Sequence, residues 1–483
     1  MPKKVIIIGA GLAGLSAGIH LQNKGIATEI FELSGQAGGM FSAWEREYYR
    51  FDGCIHWMVG TKTGDPIYKL YREVDLLTED TPIYNAESIK VEIAGTMYEV
   101  PLKLDAFKQF LLSIAPEDTP MINDLCQNIE KMKNSKIPLG APRNLSGLIS
   151  LFTESRGFMN LARKYTNKTV EEYVEKFNNN TIKLIIYSLM PPEYSSVGLF
   201  MMLGTRMGEN AGYPIGGAYE AVRRIVQKYR SLGGVINYHS KVDEIMIENG
   251  KVTAVKSKAK IYPADAVIAA CDMYDTLKNM LSGQYPHKQL DTMLETAELF
   301  PPLILVSYGL KKRFDIPFAI TFECPEGIQT APDHIETQLS FRSFEFDPTS
   351  APEDCSSVMA MLISELDYWQ TLRSKDITEY RLKKKEFSDQ ITEILNKRIP
   401  GFKDAIEVID VATPATYIRY ANLYKGSFEG FAPTPTAVRT NIRKTIDGIK
   451  GLYLCGQWTT PGGGICTAVA SGKDAATSVL KAK

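Results

Sequence analysis

The chain is 483 residues long, with 55 Lys+Arg against 56 Asp+Glu, and at ~150 residues per domain it exceeds any single small module. Its 44% hydrophobic, 23% charged and 10% aromatic residues are those of a folded protein with a large core, which excludes disorder as the main state. A formal net charge of −1 gives no basic field to gather phosphate backbones, so nucleic acid is not an expected partner.

The N-terminal segment reads as buried strand, glycine turn, helix and second strand. Val5 to Ile8 form an unbroken apolar run, small and apolar residues recur from Leu12 to Leu21, and Gly25 stands where a helix should end. From about residue 85 to 211 the texture changes to helical-looking stretches such as Leu104 to Ile114 and Thr169 to Phe177. Ser196 to Leu203 is strongly apolar and reads as a buried helix, with a lipid-contacting surface as the alternative. The first texture returns at Tyr213: a glycine turn, a long amphipathic helix, the Gly233-Gly234 stop, strands near Val235 to Tyr238 and Val242 to Glu248, an Asn249-Gly250 hairpin into Lys251 to Ser257, and a buried strand at Ala266 to Ala270. Strands at Leu303 to Leu310, Met359 to Ile363 and Ala405 to Thr413 follow, with a charged helix from Tyr380 to Lys397. The chain ends with a strand at Gly451 to Leu454, glycines 462 to 464, and a small-residue helix from Thr467 to Leu480. Seven scattered cysteines without a CxxC pair predict reduced thiols, a cytoplasmic setting and no structural metal. No run approaches the ~18 apolar residues of a membrane span.

Gly9, Gly11 and Gly14 form a GxGxxG between strand and helix, and Glu32 ends the second strand. The first glycine permits a tight turn, the second the approach of a pyrophosphate, the third close packing of helix on strand. The helix N-terminus, with the free N–H groups of Leu12 and Ala13, favours the anion, and Glu32 would accept from ribose hydroxyls. At the other end of the chain, Gly456 and Gln457 follow a strand, and the Gly462 to Gly464 turn presents N–H donors of Gly463, Gly464 and Ile465 to the edge of a bound ring.

The residues after Glu32, with Gly38-Gly39 in SGQAGGMFSAW, resemble the phytoene desaturase, carotenoid isomerase and retinol saturase group within the amine-oxidase-like flavoproteins. That family often has a basic residue where this chain has Met40. The resemblance extends to FDGCIHWMVG at Phe51 to Gly60, to Tyr213-Pro-Ile-Gly-Gly217, to Val242, to Thr413-Pro414 with Gly426-Ser427 and Gly430, and to LYLCGQWTTPGGGICTAVASGKDAA at Leu452 to Ala476. It implies an α/β fold: a Rossmann-like FAD/NAD(P)-binding domain from segments 1–80, 212–285 and 425–483, and an interleaved α+β substrate-binding domain from 81–211 and 286–424. FAD would be held by Gly9, Gly11, Leu12, Ala13, Gly14, Glu32, Gly38, Gly39, Met40, His56, Val242, Gly456, Gln457, Gly463, Gly464 and Ile465.

The expected function is oxidoreduction at carbon-carbon bonds of a hydrophobic isoprenoid or polyene: desaturation, saturation or cis-trans isomerisation. No second GxGxxG of the strand-turn-helix kind is present, so a quinone or oxygen is the expected electron acceptor. His56 is the candidate catalytic side chain, Glu209 a weaker one, and Trp44, Trp57, Tyr219 and Trp458 are candidates to line a polyene tunnel. Peripheral membrane contact stays open. An amine-oxidase-type flavoenzyme and a non-catalytic prenyl-lipid-binding relative are the alternatives.

Overall fold

The computed structural model describes residues 2–139, 154–440 and 442–482. Residues 140–153 of the expected substrate-binding segment lie outside it.

The apolar run at the N-terminus becomes the strand Lys4–Ile8, central in a five-stranded parallel sheet. The order is Val235–Asn237, Ala27–Phe31, Lys4–Ile8, Ala266–Ala269, Leu452–Leu454. Alternate side chains of a strand point to opposite faces. Val5 and Ile7 accordingly join the core beneath the helices Leu12–Gln22, Gly217–Ser231 and Ile465–Lys481. Ile6 and Ile8 pack instead with Val242, Ile245, Val252 and Val255 of an antiparallel meander on the other face. Both sides are covered, which is why the strand is continuously apolar. The meander runs Val242–Glu248, Lys251–Ser257, Lys260–Pro263. Its first hairpin turns through Asn249 and Gly250 at φ 51° and 72°, the left-handed pair a two-residue turn needs.

The first and last helices meet through small residues. A Cβ added at Gly472 would lie 2.1 Å from the carbonyl oxygen of Ala13, and Ser16 Oγ donates to the Val469 carbonyl at 2.8 Å. This close contact brings two helix N-termini, more than 450 positions apart in sequence, to the same edge of the parallel sheet.

A seven-stranded sheet forms the second body, in the order Ile406–Ala412, Leu303–Leu310, Ser356–Ile363, His334–Ser343, Ala319–Ala331, Ser88–Ile93, Thr96–Pro101. All neighbours are antiparallel except the pair Ala319–Ala331 and Ser88–Ile93. The helix Ile377–Arg398 covers one face, setting Tyr380, Phe387, Ile391 and Leu395 against Ile304, Val306 and Tyr308. From the other face Leu305, Met359 and Met361 join the core that holds Tyr49 and Phe51. Helices Leu104–Ile114, Thr119–Lys133, Arg156–Tyr165, Asn180–Leu189 and Ser196–Met207 share a third core with the strand pair at 88–101.

One expectation is adjusted. The helix at Thr169 to Phe177 is only Val170–Val174, started by a capping box in which Thr169 and Glu172 bond each other's backbone. The apolar stretch at Ser196 is the buried helix expected, Ser196–Met207, with Leu199, Phe200 and Leu203 fully buried. Among the described residues no helix is long and apolar enough to cross a membrane.

Candidate functional site

A cavity of about 810 Å³ lies against the C-terminal ends of the parallel strands and continues among the helices of the second body. Such an edge is where open α/β sheets hold ligands, and the volume is near the top of the roughly 300 to 1,000 Å³ typical of small-molecule sites.

Two glycine turns build its first wall. Gly9 has φ 100° and donates its N–H to the Phe31 carbonyl at 2.8 Å, closing the turn onto the neighbouring strand. Gly38 donates to the Ala10 carbonyl at 2.9 Å, which lays the Gly38-Gly39 loop beside Gly11. The glycines differ in what requires them. A Cβ at Gly14 would collide with the Gly9 carbonyl at 2.0 Å, so that residue serves packing and does not reach the cavity. A Cβ at Gly11 would meet no protein atom closer than 3.9 Å and would project into the cavity. The protein does not need that space; a ligand does. No side chain caps the helix Leu12–Gln22, so its first N–H groups, at Leu12 and Ala13, face the cavity free.

Glu32 is buried on the same wall. Its Oε2 accepts from Ala10 N–H and its Oε1 from Ser34 N–H, both at 2.8 Å. Each oxygen keeps a lone pair for a ligand hydroxyl. Met40 and Val242 also line this part.

The opposite wall comes from the C-terminus. Gly456 (φ 107°) ends its strand and donates to Ser471 Oγ at 2.9 Å. Next to it Gln457 has a buried side-chain Nε2 without a partner, as has the Nε1 of buried Trp458. Gly462, Gly463 and Gly464 run consecutively at positive φ into the helix Ile465–Lys481, whose N-terminus again has no side-chain cap. Gly463, Gly464 and Ile465 line the cavity. Two uncapped helix N-termini and an orphaned amide therefore converge on one space, an arrangement suited to an elongated ligand with an anionic centre and an acceptor-rich ring.

Sequence reasoning missed Glu429. It sits on the cavity wall directly under the last glycine turn, where a Cβ at Gly463 would lie 2.3 Å from its Cγ. Burial pushes its carboxyl up to about 8, with the Gly464 N–H pulling the other way. The available signal was an acid between Phe428 and Phe431 in a glycine-rich, otherwise apolar run.

Two motifs that lie 161 residues apart prove to be one node. Asp52 is buried and accepts four hydrogen bonds: Oδ1 from Cys54 and Ile55 N–H, both at 3.0 Å, and Oδ2 from the Tyr213 hydroxyl at 3.0 Å and Ala218 N–H at 2.8 Å. It fixes the loop that carries His56 to the start of the helix Gly217–Ser231. Burial still outweighs the four donors and raises its carboxyl above the ordinary value.

His56 lines the cavity, and desolvation, aided by Arg342 and Arg206, holds its imidazole well below the usual histidine range. It is a neutral hydrogen-bonding group, poorly suited to donate a proton. Glu209 is exposed with φ 55° and does not reach the cavity. Of the four aromatic candidates, Trp57 and Trp458 line the cavity, and Trp44 and Tyr219 do not. Trp44 Nε1 donates to Asp410 at 2.9 Å, and the Tyr219 ring lies under Arg50, 4.2 Å from centroid to guanidinium. Aromatic type alone carries no direction: Trp44 stands on the strand Ala43–Arg46 and Tyr219 on the helix Gly217–Ser231, both turned from the cavity. Phe158, Leu189, Met201, Met202 and Phe300 add an apolar stretch of wall.

The family model for flavin containing amine oxidoreductase matches residues 12–480. The 1-hydroxycarotenoid 3,4-desaturase of Flavobacterium sp. (strain P99-3) is 25% identical over 500 residues that cover 98% of this chain and 98% of the relative. The chloroplastic prolycopene isomerase of Arabidopsis thaliana is 21% identical, over 97% of this chain and 81% of the relative. Among solved structures, cyclohexylamine oxidase from Brevibacterium oxydans IH-35A shares the fold with a TM-score of 0.61 at 16% identity, covering 100% of this chain and 99% of that one.

Proposed function

Since this chain belongs to the flavin-containing amine oxidoreductase family, we propose that it is an FAD-dependent oxidoreductase acting on carbon-carbon bonds of a hydrophobic polyene or isoprenoid. One observation carries the reading: a polar half with two free helix N-termini and an apolar half walled by methionine, leucine and phenylalanine form a single cavity. The full-length relatives that act on carotenoids favour the same substrate class.

The wall at residues 9–13 and 38–40 would hold the pyrophosphate of FAD on the Leu12 and Ala13 N–H groups, and Glu32 the adenosine ribose, beside Val242. Gln457 Nε2 and the Ile465 N–H would meet the pyrimidine edge of the ring, with Gly463 and Gly464 beside it, their own N–H groups turned to the Thr460 carbonyl and to Glu429. We assign segments 1–80, 212–285 and 425–483 to this cofactor-binding part and the others to substrate binding. FAD, when bound, supplies hydride transfer to and from carbon.

Glu429 holds the proton that such a transfer needs. With its carboxyl at about 8 it is protonated at neutral pH and gives the proton from Oε to the neighbouring substrate carbon in the saturating direction; as carboxylate it takes one in the desaturating direction. The apolar wall excludes water and orients the chain of the substrate. A quinone or oxygen closes the electron balance when net desaturation occurs. The amine-oxidase alternative has less support: among the described residues the only lysine on the cavity wall is Lys241, beside Val242, at the end assigned to adenosine.

The test is an absorption spectrum of the purified protein loaded with FAD, followed anaerobically with reduced flavin and phytoene, lycopene or retinol, with benzylamine as control. The expected result is a flavin spectrum and shifts in the polyene bands. A response to the amine alone would transfer the assignment to C–N chemistry, and a protein that never takes up flavin would end it.

A further inference from the structure

Two tyrosines on the wall of the large cavity carry hydroxyls that bond nothing in the protein. Tyr194, only 8% exposed, lies between the helices Asn180–Leu189 and Ser196–Met207, and Tyr417 stands on the helix Pro414–Ala421. A buried phenol ordinarily finds a partner, because a hydroxyl taken out of water without one costs free energy. Elsewhere in the chain this holds. Tyr71 donates to the Val59 carbonyl at 2.8 Å, Tyr173 to Asp124 at 2.9 Å and Tyr213 to Asp52 at 3.0 Å, and Tyr229 shares a hydrogen bond with Thr28 at 2.8 Å. Burial raises the phenols of Tyr194 and Tyr417, so each keeps its proton, and among the described residues no hydrogen bond to either hydroxyl tempers the rise. Neither oxygen is sealed in the packing. Each opens on space, and the space that both residues border is the large cavity.

The Tyr194 ring meets Phe300 edge-on at 5.8 Å, and Phe300 meets Phe428 at 5.1 Å. Phe428 precedes Glu429, which lies close enough to act electrostatically on the Tyr194 phenol. Tyr194 therefore stands toward the Glu429 end of the chamber. A bare hydrocarbon would displace water from these two hydroxyls and give them nothing in return, and phenylalanine would serve it better at both positions. An alcohol or ketone oxygen on the ligand accepts from a phenol O–H. A carboxylate is disfavoured at Tyr194, because Glu193 and Glu298 act on its phenol together with Glu429.

We propose that Tyr194 and Tyr417 recognise neutral oxygen on the substrate, so that the apolar half takes a polyene or isoprenoid bearing a hydroxyl or ketone group and not a bare hydrocarbon. The proposal rests on the reading of the cavity as the substrate chamber and narrows its ligand.

Trp57 and Trp458 line the cavity and supply the readout. Quenching of tryptophan fluorescence in the FAD-loaded protein is titrated with all-trans-retinol and with axerophtene, the hydrocarbon of the same body without the hydroxyl. Loss of a hydroxyl also makes a ligand more apolar, so each ligand is compared between proteins. The double variant Tyr194→Phe with Tyr417→Phe should weaken retinol roughly three- to tenfold, the worth of one hydrogen bond, and bind axerophtene as tightly as the wild type or more so. Its melting temperature should be unchanged, since the hydroxyls removed bond no protein group; the single variants carry the same comparison should the double variant not fold. Equal retinol affinity in variant and wild type overturns the proposal and leaves the hydroxyls as water sites. Parallel weakening of both ligands overturns it in favour of packing, and loss of FAD from the variants in favour of flavin contacts. Binding of neither ligand by the wild type overturns it as well. Failure of polyene turnover in a protein whose retinol binding still depends on the two phenols would count against the catalytic reading and leave the recognition standing.

Discussion

At Gly11 the backbone is extended, φ −71° and ψ 175°, a conformation open to any residue, and the nearest protein atom to an added Cβ is 3.9 Å away. Gly11→Val should therefore fold with an unchanged melting temperature and emerge from dialysis without flavin. Gly14 supplies the contrast, because its Cβ would strike the Gly9 carbonyl. Glu32→Ala should weaken FAD by about 1 to 3 kcal/mol in a titration, the value of hydrogen bonds to a buried charged acceptor. Glu429→Gln tests the proton. It should keep the flavin spectrum and lower turnover by roughly 10²- to 10⁴-fold, the usual share of a positioned acid or base. The folded chain holds this proton up to about pH 8, whereas the unfolded chain gives it up near 4.5. Unfolding therefore releases a proton between those values, so the contribution to stability falls as pH rises from about 4.5 to 8 and is flat above. In the glutamine variant that slope should vanish from a series of denaturation curves. Glu429 was hard to foresee because a single acid in a loop has no periodicity, and its meaning comes from Gly463 folding back over it.

Among the elements, those with sharp chemical punctuation were legible to the residue. The strands Val242–Glu248 and Lys251–Ser257 are bounded by an Asn-Gly turn, and Leu303–Leu310 by Pro302 and Lys311. The helix Val170–Val174 was overestimated, since charge and helical propensity continue past the point where its Val174 carbonyl accepts from Phe177 and the chain turns away. The coupling of Asp52 to Tyr213 was not legible at all. Each belongs to a recognisable segment, but nothing local says that the two segments share a carboxylate. The contact of the first and last helices was equally silent, although a run of Ala, Ser and Gly is what so close an approach demands. Gly472→Ala should cost roughly 1 to 3 kcal/mol by overpacking, read as a lowered denaturation midpoint with unchanged steepness, because even one methyl group meets the Ala13 carbonyl at 2.1 Å.

For the whole molecule, the α/β plan was legible because parallel strands covered on both sides must be apolar throughout and glycine turns must follow them. The course of the large cavity was not, because methionine, leucine and phenylalanine line a tunnel and fill a core equally well. FAD bound across the parallel sheet and the C-terminal turn should act as a fastener, adding about 2.7 kcal/mol at a hundredfold excess over its dissociation constant. A melting curve should shift upward with FAD in the wild type and stay fixed in Gly11→Val. The helix pair that frames this site has a further consequence, in the order of synthesis. Ser16 leaves the ribosome some 450 residues ahead of Val469, its hydrogen-bond partner, which at about 5 to 20 residues per second is roughly 20 to 90 seconds. Through that interval the small-residue face of the first helix has no partner, and neither wall of the cavity can close on a cofactor. Flavin capture thereby waits for synthesis of the segment from Gly456 to Val469, and a nascent chain stalled before it holds half a cradle.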